Sequence, residues 1–407
     1  MMDGVNTNKA PKNTLANIGN MAKKNTMLIV LALVIIFFTV GTDGIILNPG
    51  NITSLIMQTS YVIVLAVGML MCILTGGNID LSVGSVLALV SVIAAKLLVE
   101  VKMNVFLVII IALLLGGLIG AFHGFWIAYI RIPAFIVTLA GMMLWRGLQL
   151  VISDAKAIAV TSDKNPLFTS IFNSFIPNIK VTLFGITFDI VCMIISILAA
   201  AAIVFLMTRS RATRKSKGFE VASKGIHIFK CVLISAVILF FTFLLSEDRG
   251  FPFMLIILAV ILVGYSYFTS KTVPGRYLYA VGSNEKAAKM SGVDTNKILF
   301  GAYTNMGVLS AVAALICVAR FASAQPTAGE GYEMDAIASC FIGGASAYGG
   351  TGTVIGALVG ALFMGVLNNG MSMMGIDTNA QRVVKGLVLL AAVLFDILSQ
   401  KRRKALA

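Results

Sequence analysis

Residues 105–130 read VFLVIIIALLLGGLIGAFHGFWIAYI, 26 positions without one Asp, Glu, Lys or Arg. About 20 apolar residues are enough to carry an α-helix across the hydrocarbon core of a bilayer. Polar backbone cannot be left unpaired there, so the run reads as a transmembrane helix. Comparable runs lie on both sides of it, and the composition agrees. Hydrophobic residues make up 58% of the 407-residue chain and charged residues 12%, against roughly half and a quarter in soluble domains. A mean hydropathy of +0.96 points the same way. Too few charges remain to coat a water-facing surface, so the fold class is an all-α polytopic membrane protein.

Working outward from 105–130, apolar runs occur at 27–47, 52–74, 81–99, 133–152, 190–208, 231–245, 253–268, 299–322, 336–348, 353–374 and 383–398. With the first run that makes twelve spans, 336–348 being the shortest. Basic residues test the count, because they collect in cytoplasmic segments. Lys9, Lys12, Lys23 and Lys24 precede the first span, and Arg131 follows the fourth. Seven bases from Arg209 to Lys230 follow the sixth, Lys271 to Lys297 follow the eighth, and Lys401 to Lys404 follow the twelfth. The pattern closes only if 336–348 crosses, and it then puts both termini in the cytoplasm. The N-terminal run 27–47 lacks a small-x-small cleavage signature and reads as a retained anchor. The outside loop 153–189 is expected to lie on the membrane surface through Phe168, Ile171, Phe172 and Phe175.

The formal charge of +14 is spent on these segments, so nucleic acid is not an expected partner. Cys72, Cys192, Cys231, Cys317 and Cys340 lie in apolar runs without paired spacing and read as small hydrophobes. No G-x-x-x-x-G-K-[ST], H-E-x-x-H or C-x-x-C occurs, so the chain carries no phosphate loop or zinc-protease motif of its own. His123 reads as a packed, hydrogen-bonded residue. Asp43, Asp80, Glu100, Asp189 and Asp396 sit at span ends, unlike the mid-membrane acids of an ion-coupled carrier. Asp80 reads as part of a helix N-cap. Arg146 and Arg320 are expected to snorkel toward lipid headgroups.

Two glycine-rich breaks echo each other, TGGNIDLSVGS at 75–85 and GGASAYGGTGT at 343–353. Interrupted spans at matching positions of two halves point to a transport pathway, although small residues also serve close helix packing. Asn78, Asp80, Ser82, Asn305, Asn368 and Asn369 are the candidate pathway residues, since an unpaired amide in a span is costly. A third stretch, PGRYLYAVGSNEKAAKMSGVD at 274–294, predicts a short exposed helix. Ser283 caps it, Glu285 favours its start and Gly292 ends it, with Ala287, Ala288 and Met290 on one face.

That third stretch resembles the coupling segment of permease subunits from monosaccharide ATP-binding-cassette importers of the ribose, galactose and xylose type. Residues 75–85, IPAFIVTL at 132–139, SAQPTAG at 323–329 with GYEMDAIA at 331–338, and the tail from Gly343-Gly344 through Asn368-Asn369-Gly370 to Lys385 agree. The resemblance implies a dimer in a bacterial inner membrane. It also implies ATP-hydrolysing subunits docked from the cytoplasm, which bind the ATP and Mg, and a sugar-binding protein outside. This chain itself would need no cofactor and would not be an enzyme. Ser283, Asn284, Glu285, Ala287, Ala288, Ser291 and Gly292 are then the ATPase-coupling residues. The family's ten-helix core implies that about sixty residues here, 209–270, are a basic loop and two-helix insertion, as in the xylose-type or multiple-monosaccharide branch. The expected organisation is a cytoplasmic segment 1–26, a first transmembrane half 27–208, the insertion 209–270, a coupling loop 271–298, a second half 299–398 and a basic tail 399–407. A pentose or aldohexose is the expected cargo. Nucleosides or branched-chain amino acids on the same fold, or an ion-coupled secondary carrier, are the alternatives.

Overall fold

The computed structural model describes residues 26–405 apart from 184–185, 220 and 222. Of the expected N-terminal segment only Thr26 falls within that range. Lys9 to Lys24, residues 406–407 and the side chains of 399–405 lie outside the described residues.

The helices are α1 (Thr26–Gly41), α2 (Pro49–Leu74), α3 (Val83–Val99), α4 (Val105–Ala128), α5 (Ala134–Ser153), α6 (Pro166–Asn173), α7 (Ile190–Ser216) and α8 (Lys224–Glu247). They continue with α9 (Phe253–Lys271), α10 (Val273–Ser283), α11 (Glu285–Met290), α12 (Thr295–Phe321), α13 (Tyr332–Ile342), α14 (Val354–Met373) and α15 (Thr378–Ala405). Two small antiparallel pairs join β1 (Ile158–Ala159) to β4 (Ser323–Ala324) and β2 (Lys180–Leu183) to β3 (Ile186–Asp189). Local caps set several starts. The Asn48 and Asn104 side chains accept from the Gly50 and Phe106 amides, and Thr353 from the Gly356 amide, satisfying donors that a helix leaves open.

Eight of these helices are long and apolar enough to cross a membrane, and Met27–Gly41 and Val83–Val99 are shorter apolar helices. The expected run 336–348 differs from the helix found. α13 starts earlier, at Tyr332, and stops at Ile342 after 11 residues, a length of about 16 Å. It is a half-helix, followed by the irregular stretch 343–353. Gly344, at φ +86°, turns the chain out of it, a conformation that side chains with a Cβ resist.

α2 and α12 form the buried centre, and α3, α13 and α14 pack around them. α4 lies against α12 through glycines. A Cβ on Gly116 would stand 2.4 Å from the Gly307 carbonyl oxygen, and one on Gly307 2.1 Å from that of Gly116. Such close approach replaces the hydrophobic drive that lipid cannot supply. The helices α7 and α8 pair mainly with one another and leave Phe205, Leu206, Ile228 and Phe229 exposed.

α2, at 26 residues about 39 Å long, separates two faces. Near its Asn51 end lie the loops 153–189 and 247–252. The Ile176 amide donates to the Phe251 carbonyl, and Lys180 Nζ to the Asp248 carbonyl. Phe168 and Phe172 of the loop 153–189 are not offered to a membrane surface as expected: both are buried in the main core, while Phe175 is half-buried and its backbone bridges to Pro252. The two buried rings find more apolar contact inside the protein than at an interface. At the Leu74 end lie Arg131 and the loop 271–298.

Candidate functional site

The loop after α9 folds as a knuckle of two short helices. α10 is capped by Thr272, whose hydroxyl accepts from the Gly275 amide (3.1 Å). The expected cap of α11 is corrected: Ser283 ends α10, its hydroxyl donating to the Tyr279 carbonyl (2.8 Å), and Asn284 caps α11 by accepting from the Ala287 amide (3.0 Å). Asn284 holds extended backbone, the geometry an N-cap needs. Gly292, at φ +85°, ends α11, with its amide on Lys289 and that of Val293 on Ala288. That is a Schellman closure, and its apolar contact is the small core of Ala288, Val293 and Val281. The expected apolar face is corrected too. Ala288 points inward, Ala287 is exposed, and Met290 stands out at 90% exposure.

Arg131, at the end of α4, clamps the knuckle. Its guanidinium donates to Glu285 Oε1 (2.6 Å) and Thr295 Oγ1 (3.3 Å), and also to Asn296. Burial opposes ionisation of Glu285, but the hydrogen bonds from Arg131 and Thr295 and the Arg131 charge outweigh it. Its carboxyl is held below the usual range. The sequence reading missed this clamp, because 154 residues separate the partners.

Behind the knuckle the two glycine breaks meet. The Gly350 amide donates to the Leu74 carbonyl (3.1 Å). A Cβ on Gly77 would stand 2.0 Å from the Ala347 oxygen, and one on Gly282 1.8 Å from the Leu74 oxygen and 2.6 Å from Gly350 N. The Tyr279 hydroxyl donates to the Gly352 carbonyl (3.0 Å), and Asp396 of α15 accepts from the Ala347 amide (3.0 Å). The echo therefore marks one knot in which both breaks and the end of α10 touch backbone to backbone.

The candidate pathway residues occupy several places. Asn78 donates to Thr75 inside the first break. Asp80 Oδ1 accepts from the Ser82 amide (2.9 Å) and hydroxyl (2.6 Å), just ahead of α3, whose N-cap is Ser82 itself. Ser82 Oγ lies 3.3 Å from His123 Nδ1, and Trp145 Nε1 donates to His123 Nε2 (2.9 Å). The indole fixes the tautomer, since Nε2 must accept and Nδ1 then carries the proton. Asn305 accepts from the Tyr265 hydroxyl beside a cavity between α9 and α12. Asn369 exchanges amide hydrogen bonds with Asn51 (2.9 and 3.0 Å) at the far end of α2. Asn368 donates to Asp335 (3.2 Å), which also takes Lys385 (3.1 Å) and is 3% exposed.

Arg146 is a further correction. It does not snorkel. Its guanidinium donates to the Pro326 (3.2 Å) and Ala328 (2.7 Å) carbonyls, pinning the loop that enters α13. There a Cβ on Gly84 would lie 2.1 Å from the Gly329 oxygen, so the first turn of α3 and the approach to α13 meet. Between α5, α13 and α15 opens a cavity of about 550 Å³, lined by Arg146, Glu330, Glu333 and Arg382 with Met142 and Met143. Arg382 donates to Glu330 across it (3.4 Å). The sequence reading had assigned Arg146 to lipid and had not brought these four charged side chains together.

The profile of the family described as branched-chain amino acid transport system / permease component matches residues 51–238 and 212–393. The chain belongs to that family. Relatives of this permease carry sugar names. It is 36% identical to the xylose transport system permease protein XylH of Escherichia coli K12 over 376 residues, 92% of each chain. Identity to XylH of Haemophilus influenzae is 37%, over 92% of this chain and 96% of that one. The ribose import permease protein RbsC of E. coli K12 is 33% identical, over 92% and 94%. No solved structure matches.

Proposed function

We propose that this permease imports a monosaccharide, a pentose or aldohexose, as the membrane subunit of an ATP-binding-cassette importer in a bacterial inner membrane. The observation that carries the reading is the knuckle. It is closed at both ends, clamped by Arg131 and seated on the knot, yet offers Met290 and Ala287 to solvent with Lys286 and Lys289 beside them. We read this exposed tip as the docking anchor for a partner subunit. Its occupant here is the ATPase subunit, which binds ATP and Mg. Residues Ser283 to Gly292 pass its closure through the knot into α2 and α15. The face at the Leu74 end is then cytoplasmic, as are both termini, and a sugar-binding protein delivers cargo to the Asn51 face. Two copies of the permease enclose the pathway, the break at 78–82 and the amides Asn368 and Asn369 inside the continuous helix α14 shape it, and 209–270 stands as a peripheral two-helix addition. The chain holds no ATPase site of its own, and transport requires the partner.

The test is uptake into liposomes. The chain with its ATPase and binding protein should accumulate labelled D-xylose or D-ribose only with ATP. The chain alone, under a proton or sodium gradient, should accumulate neither. Gradient-driven uptake by the chain alone would establish a secondary carrier instead.

A further inference from the structure

The knuckle concerns force; the cavity between α5, α13 and α15 concerns cargo. Arg146 lies 7 residues from the Ser153 end of α5, about 10 Å along the helix, so the cavity is reached from the Asn51 face. Its four charged walls, Arg146, Arg382, Glu330 and Glu333, are too costly to leave against acyl chains, which makes the space aqueous. Their formal charges cancel, two against two, so neither an anion nor a cation is favoured there. Guanidinium groups only donate and carboxylates only accept. A solute whose neighbouring groups both donate and accept satisfies that alternation, and vicinal hydroxyls do so. Met142, Met143 and Met334 supply adaptable apolar wall for a C–H face. The volume, about 550 Å³, falls within the range of small-molecule sites.

The Glu330–Arg382 pair, at 3.4 Å, is the part of the lining that can change partners. Both carbonyl bonds of Arg146 come from Nη1, and Glu333 lies within electrostatic reach of the guanidinium. One helical turn further along α15, Lys385 holds buried Asp335, so α15 is fastened to the α13 region at two points beside the cavity. At its other end Asp396 holds the knot.

We infer that this cavity is the permease's own binding site for a neutral polyhydroxylated solute, held by hydroxyl contacts to Glu330, Glu333, Arg146 and Arg382. This rests on the sugar-import reading above and adds the residues and the selection against charged cargo.

The five native cysteines are buried, so one introduced thiol can report on the site. Met143, 71% exposed at the cavity, is changed to Cys in the full chain within intact cells that carry the complete importer. A charged, membrane-impermeant thiol reagent is then applied with D-xylose, D-ribose, D-gluconate or no addition. The Cys should label, because the space is wet. Sugar at ten times its Kd should slow labelling roughly tenfold, and gluconate should not. Adding Glu333→Gln, with labelling compared to its own unprotected rate, should remove the protection. Gly386→Cys provides a second reporter if M143C is not produced. Absence of labelling at both reporters, equal protection by gluconate, or no protection by either sugar overturns the inference. Normal ATP-driven sugar uptake by the same cells without protection overturns the cavity assignment alone. Loss of protection together with absence of uptake for every sugar overturns the sugar reading as well.

Discussion

Gly282→Ala tests whether the knuckle is seated on the knot by direct backbone contact. The new Cβ would stand 1.8 Å from the Leu74 oxygen, where real Cβ contacts essentially never fall under 3.0 Å. The shortfall is 3.0 − 1.8 = 1.2 Å, and the opposing atoms are the backbone of α2 and of Gly350. No rotamer can relieve it, so α10 must move off α2 by that amount. Overpacking of this kind costs about 1–3 kcal/mol, and a backbone obstacle places it at the upper end. The assay pairs the melting temperature of the purified permease with sugar-stimulated ATP hydrolysis in the assembled complex. Melting should fall by a few degrees, and stimulation should be lost while basal hydrolysis by the ATPase stays. Gly301→Ala is the control. Nothing lies within 4 Å of its Cβ, so helix propensity alone should stabilise by up to about 1 kcal/mol. Wild-type melting and full stimulation in Gly282→Ala would refute the seating of α10 on α2.

Met290→Asp, at the exposed tip of α11, should leave melting unchanged and reduce ATPase co-purification with the permease. Ala288→Arg is a different perturbation. Its target is buried against Val281 and Val293, so the charge should unfold the knuckle and expose 283–293 to limited proteolysis. Asn51→Ala should cost about 1–3 kcal/mol by stranding the buried Asn369 amide, and Asn369→Ala up to as much by taking one partner from half-buried Asn51, which keeps the Ile46 carbonyl. The double variant should cost little more than either alone, and a thermal-shift cycle reads this directly. Glu285 is held below the usual carboxylate range by Arg131. Its contribution is therefore fully present above the unfolded carboxyl's pKa and is lost only as pH falls through the lowered value. ATPase stimulation should show no loss attributable to Glu285 from pH 8 down to about 5, and Arg131→Ala should lower it at every pH in that range.

Much of the architecture was legible along the chain, because lipid imposes a one-dimensional constraint. A span must satisfy its backbone internally and present apolar atoms, and runs such as 105–130 declare both in their composition. The stretch 274–294 was legible for a related reason: a cap, two turns and a terminal glycine are local devices, readable within ten residues. Even there, Asn284 rather than Ser283 proved to be the cap. The start shifts by one position because Ser283 still belongs to α10, its hydroxyl donating to the Tyr279 carbonyl, whereas Asn284 holds the extended backbone from which a side chain can accept from the Ala287 amide.

What residues 75–85 and 343–353 do lay beyond the reach of a linear reading. Both could be recognised as breaks, but that they cross at Gly77 and Ala347, and that Gly282 completes the contact, is a relation among three segments far apart in the chain. The same holds for charge. Arg146 in an apolar helix has the sequence appearance of a snorkelling residue; only the folded loop at 326–328 brings it two carbonyl acceptors. Membrane crossing is an additive property of consecutive side chains, so the sequence alone determined it. The partners of buried polar groups depend on which helices touch, and only the tertiary structure decided them.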